Sequence, residues 1–120
     1  MERTLTNFTG ASAITADTDS GWLQVQNTKD ITAKGLILIS WKENSSSTKD
    51  ATIEIFTTSD PTFDATGKSL ATAIVCDSVA SEKGEGSISI DEPIKWVKAV
   101  YTENAATTIK MKIVVYMADR

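Results

Sequence analysis

The sequence predicts an all-β fold, an antiparallel β-sandwich of about seven or eight strands with Ig-like or jelly-roll connectivity. Three observations predict it. Of 120 residues, 36 are branched at Cβ (Ile 12, Val 7, Thr 17) against 5 Leu, and such branching restricts χ1 in a helix but fits a pleated surface. Apolar alternation recurs in short runs between turn residues. With only two prolines, those turns fall to Gly, Asn, Asp and Ser. The length suits a single core, and neither a repeat nor a linker divides the chain.

Taken in order, residues 1–10 read as a flexible N-terminal arm, polar but punctuated by Leu5 and Phe8, and residues 11–120 as the sandwich domain. A short strand is expected over Ala11–Ala16, a turn over Asp17–Gly21, and a second strand over Trp22–Gln26 before a polar loop through Asp30. Gly35–Lys42 places Ile37, Ile39 and Trp41 on one face, and the serine-rich Glu43–Asp50 follows as a loop. Ala51–Thr58 alternates, with Ala51, Ile53 and Ile55 inward and Thr52 and Glu54 outward. Ser59-Asp60-Pro61 makes a turn, and Phe63 anchors an irregular link through Lys68. Ser69–Cys76 reads as a strand or a helical turn, Ser81–Gly86 as a turn, and Ser87–Asp91 as a strand with Ile88 and Ile90 on one face. Pro93 stands just before the next strand, where its missing N–H does least harm.

The last two apolar runs suggest a hairpin of Ile94–Thr102 with Thr108–Met117 around Glu103–Thr107. Symmetric pairing sets Val97 opposite Ile113, Ala99 opposite Met111 and Tyr101 opposite Ile109 on one face. The other face then carries Ile94 with Tyr116, Trp96 with Val114, Lys98 with Lys112 and Val100 with Lys110. That second face is unusually apolar for one turned to water, and either another part of the chain or a neighbouring subunit must cover it. Opposed Lys98 and Lys112 repel, which calls for a carboxylate, Glu54 or one from another chain.

Composition removes several chemistries. With no histidine and one cysteine, Cys76, there is no Ser-His-Asp or Cys-His machinery, no histidine-ligated metal and no intramolecular disulfide. Asp17/Asp19 and Asp60/Asp64 sit at turns, where Asp bonds the local backbone; neither segment has the spacing of a calcium loop. Gly84-Glu85-Gly86 resembles a phosphate loop only superficially and reads as a hairpin turn, and Cys76 as a buried, inert thiol. No catalytic residue, cofactor or metal is expected, and the chain reads as no enzyme. The net charge of −4 argues against nucleic acid as partner, although Lys95, Lys98, Lys110 and Lys112 interleave with Trp96 and Tyr116. The longest apolar run, Leu36–Ile39, is far below the ~20 residues that span a bilayer, so no membrane partner is expected and folding in the cytoplasm is. An alternative reading is a carbohydrate-binding module that stacks sugars on Trp22 and Trp96.

Along Ile53–Phe63 and Ile94–Val100, the chain resembles small β-sandwich virion proteins of tailed bacteriophages. A strand runs into a Ser-Asp turn followed by an aromatic, then comes an aromatic-aliphatic-basic-Ala strand, and Thr107–Met117 supplies the closing strand of alternating aliphatics. The likeness covers about half the chain and departs where Asn104-Ala105-Ala106 replaces the glycine usual in the last turn. It implies a structural role as a capsid auxiliary or decoration subunit located in the virion. Its partners would be phage coat or other virion proteins and further copies of itself, in a homo-oligomer. The residues expected at such an interface are Ile94, Trp96, Lys98, Lys112, Val114 and Tyr116, with Leu5 and Phe8 of the arm ordering on a neighbour.

Overall fold

A computed structural model describes residues 2–25, 34–43, 51–70, 74–76, 83–90, 94–102 and 109–117. These residues form ten strands: β1 (Glu2–Thr9), β2 (Thr18–Asp19), β3 (Leu23–Gln24), β4 (Gly35–Glu43), β5 (Ala51–Thr58), β6 (Lys68–Ser69), β7 (Ile74–Cys76), β8 (Lys83–Ile90), β9 (Trp96–Thr102) and β10 (Ile109–Met117). The first sheet has the order β1-β10-β4-β8; in the second, β9 and β5 are central, with β2 and β3 on the outer edge of β9 and β6 and β7 on that of β5. All pairings are antiparallel. Counting β2 with β3 and β6 with β7 as one interrupted strand each leaves eight strands in two sheets of four. The chain then crosses between sheets at nearly every connection, which is the double Greek-key order of a jelly roll.

That crossing corrects the expected terminal hairpin. β9 pairs with β5, β2 and β3, whereas β10 pairs with β1 and β4. The expected inward residues are buried, Val97, Ala99 and Tyr101 in one sheet and Ile109, Met111 and Ile113 in the other, and Val115 and Met117 continue the second row. They meet across the sandwich rather than side by side. A period of two fixes which residues face inward but says nothing about which strand lies alongside. Glu103–Thr107 lie outside the described residues.

The expected N-terminal arm is instead the edge strand β1. Leu5 and Phe8 are buried in the core, at 1% and 0% exposure, and so form no docking arm. Three residues apart, they would face opposite ways in a regular strand. Between the pairs Thr4↔Val114 and Thr9↔Lys112 the register shifts, five steps on β1 matching two on β10. Asn7 takes φ 71° inside this bulge, which turns both side chains inward. Its Nδ2 donates to the Asp19 carbonyl at 3.0 Å and so ties β1 to β2 of the second sheet.

Other boundaries also move. Asp17–Gly21 is not all turn, since Thr18 and Asp19 form β2; of Ala11–Ala16 only Ile14 pairs, bridging to Ile109. Gly84-Glu85-Gly86 is no hairpin turn but part of β8, where Gly84 and Gly86 stand opposite Trp41 and Ile39. The Ser-rich 44–50 segment and the Cys76 side chain lie outside what is described.

Candidate interface

The predicted interface cluster does not form one surface. Ile94 is buried in the core; Trp96 and Lys98 project from the outer face of the second sheet; Lys112, Val114 and Tyr116 project from the outer face of the first. Two packed sheets stand roughly 10 Å apart, so these groups are on opposite sides of the molecule. The same separation splits the lysine and aromatic platform: Lys95, Lys98 and Trp96 are on one side, Lys110, Lys112 and Tyr116 on the other.

On the second sheet Phe56 and Trp22 are tied down. Lys98 lies opposite Phe56 in the β5–β9 register, its ammonium 5.7 Å from the Phe56 ring centroid and 4.7 Å from that of Trp22. It donates to the Ala65 carbonyl at 3.4 Å and pairs with Asp19 at 3.9 Å, so Asp19 rather than Glu54 is its carboxylate. Trp22 Nε1–H donates to the same carbonyl at 3.1 Å. Gly67, at φ 77°, admits the indole: a Cβ there would stand 2.6 Å from Trp22 Cη2 and 2.7 Å from the Thr57 carbonyl. With Lys98 over its ring and Gly67 at its edge, Trp22 is an internal clamp, which removes one of the two aromatics on which sugar stacking was expected.

On the first sheet the outward apolar groups lack such cover. Val114 sits opposite Leu38, and Tyr116 opposite Leu36. Strand partners share a face, as do residues two apart, so the four make one contiguous patch. Val114 is shielded at its centre, while Leu38 and Tyr116 remain 38% and 36% exposed. Glu2 and Thr4 flank the patch on β1, Ser87 and Ser89 on β8. Further along the same face the chemistry turns basic. Lys42 is directly opposite Lys110, and Ser40 opposite Lys112. With Gly10, Trp41 and Glu85 these residues line a cavity of about 470 Å³. The Trp41 Nε1 is buried without a hydrogen-bond partner among the described residues.

Leu36 and Leu38, which complete this apolar patch, were not singled out from the sequence. The signal was the uninterrupted run Leu36–Ile39, in which both faces of one strand are apolar, the pattern of a strand covered on both sides. Phe63 was expected to anchor its loop inward and is instead 91% exposed. The acidic pairs behave as turn residues: Asp19 accepts from Gly21 N, Asp60 from Thr62 N and Asp64 from Gly67 N.

No family model and no curated protein matches the sequence. Among solved structures, a chain in the structure of infectious bursal disease virus, Gx strain, aligns over 98% of this chain at a TM-score of 0.50 and 9% identity. The aligned region spans 30% of that longer chain. At this identity the likeness is one of fold.

Proposed function

We propose that this chain is a non-enzymatic structural protein of a tailed-phage virion, a capsid auxiliary or decoration subunit that acts through protein–protein contacts. The observation that carries the reading is the apolar patch of Leu36, Leu38, Val114 and Tyr116 on an otherwise solvated sheet face. Covering such groups contributes about 1.5–3 kcal/mol for each large side chain fully buried. Repetition over a symmetric shell multiplies a modest contact by avidity. The jelly roll also serves lectin domains, so the fold is compatible with this role without specifying it. A fold neighbour taken from a virus structure agrees with it at the same level.

The test is incorporation. In lysates of a phage carrying the gene, the wild-type chain bands with intact particles on a density gradient. Leu38→Ser/Tyr116→Ser keeps its thermal melt but stays at the top of the gradient. A wild-type chain that never bands with particles overturns the reading, and glycan binding lost in Trp96→Ala would favour the sugar module instead.

A further inference from the structure

Phe63 is an exposed aromatic on a turn that is held in place. Within the turn that follows β5, Phe63 N and Asp64 N both donate to the Asp60 carbonyl, at 3.2 and 2.8 Å. The Asp60 and Asp64 carboxylates each accept one backbone N–H, from Thr62 at 2.9 Å and Gly67 at 3.0 Å. Each carboxylate keeps its second oxygen without a partner among the described residues. The result is a fixed knob, 91% exposed at its tip and flanked by two negative charges.

The cavity beside Trp41 has the opposite character. It is lined on the outward rows by Ser40, Lys42, Glu85, Lys110 and Lys112, with Gly10 and Trp41, and its volume of about 470 Å³ exceeds a phenyl ring several-fold. Lys42 and Lys110 face each other across the β4–β10 pair, a like-charge juxtaposition that an incoming anion relieves. None of the three ammonium groups is ion-paired among the described residues, although Glu85 lines the same cavity.

Knob and cavity lie at opposite ends of the sandwich. Ile14 bridges to Ile109 and, four residues later, Thr18 pairs with Tyr101, so the cavity end of β10 lies beside the Tyr101 end of β9. Tyr101 pairs with Ile53, whereas the knob follows Thr58, about 17 Å along β5. The knob therefore cannot reach the cavity of its own chain. From this complementarity of shape and charge we infer that Phe63 of one copy inserts into the Trp41 cavity of the next, with Asp60 and Asp64 against Lys42, Lys110 and Lys112. The contact joins two different surfaces, so it either closes reciprocally between two antiparallel copies or propagates into a ring or a filament. The turn is already ordered, which reduces the entropic cost of docking.

This inference goes beyond the virion role and fails separately from it, because it is read on the isolated chain without particles. In sedimentation velocity at low salt, the wild-type protein associates with rising concentration, and molar salt shifts it back toward monomer. Phe63→Ser and Lys110→Glu/Lys112→Glu, both checked for an unchanged far-UV spectrum and melt, are each monomeric alone. Mixed in equal amounts they give a 1:1 heterodimer and nothing larger, since one intact knob and one intact cavity remain between them. A monomeric wild type, a Phe63→Ser chain that still associates, or a mixture that stays monomeric each overturns the inference. Loss of association in Leu38→Ser/Tyr116→Ser with Phe63→Ser unaffected would assign the contact to the apolar patch instead.

Discussion

On the outer face of the second sheet, Trp22, Phe56 and Lys98 satisfy one another, with Asp19 and the Ala65 carbonyl closing the set. On the outer face of the first sheet, Leu38 and Tyr116 remain 38% and 36% exposed beside their strand partners. Both faces carry large apolar side chains and lysines. The difference lies in the connecting chain: the segment around Gly67 folds over the second sheet and gives its aromatics something to hold, and no described loop does so for the first. An apolar residue on an outer face thus has two fates, internal clamp or external contact, and the sequence of the strand alone does not choose between them.

Substitutions can break this contrast or sharpen it. The largest effect is expected beneath the first sheet. Phe8→Ala removes a fully buried ring from β1 and should cost about 3–5 kcal/mol in denaturant unfolding; a loss below about 1 kcal/mol would return residues 1–10 to the status of a loose arm. Gly67→Ala comes next. The added Cβ collides with Trp22 and with backbone at positive φ, for an expected loss of about 1–3 kcal/mol. Because the indole is displaced, Trp22→Ala in the same background should recover only the side-chain part of that loss. Lys98→Ala should cost about 1–2 kcal/mol, part of it retained by Lys98→Met, which keeps the stem and loses the charge. The smallest effect is expected on the open patch: Leu38→Ser/Tyr116→Ser should change stability by no more than about 1 kcal/mol, with its consequence appearing in association instead. If that pair proves as costly as the Lys98 change, the two faces are alike and the contrast fails.

Much of the fold was legible before the structure. Ala51–Thr58 was bounded correctly because its alternation is strict and a Ser-Asp-Pro turn ends it. The inward rows of β9 and β10 were right for the same reason. Their partners were not, because a jelly roll sends consecutive strands to opposite sheets and adjacency in sequence then misleads. β1 was missed because Leu5 and Phe8 are spaced by three, which breaks strand alternation until Asn7 introduces a bulge. Of the apolar patch on the first sheet, Val114 and Tyr116 could be placed from their own strand, whereas Leu36 and Leu38 join them only once β4 is known to lie alongside β10. Phe63 was assigned inward on hydrophobicity alone, although the two aspartates beside it shape a turn that carries it into solvent.

The placement of β10 between β1 and β4 has a consequence for biogenesis. β1 precedes the other described strands along the chain, yet its hydrogen-bonding partner, β10, follows them all. Until then Leu5 and Phe8 have no sheet to enter, and the nascent chain exposes them throughout elongation. Closure of the first sheet is therefore a late, long-range event, and a chaperone that shields the first ten residues during synthesis should raise the yield of native protein more than one acting on the middle of the chain.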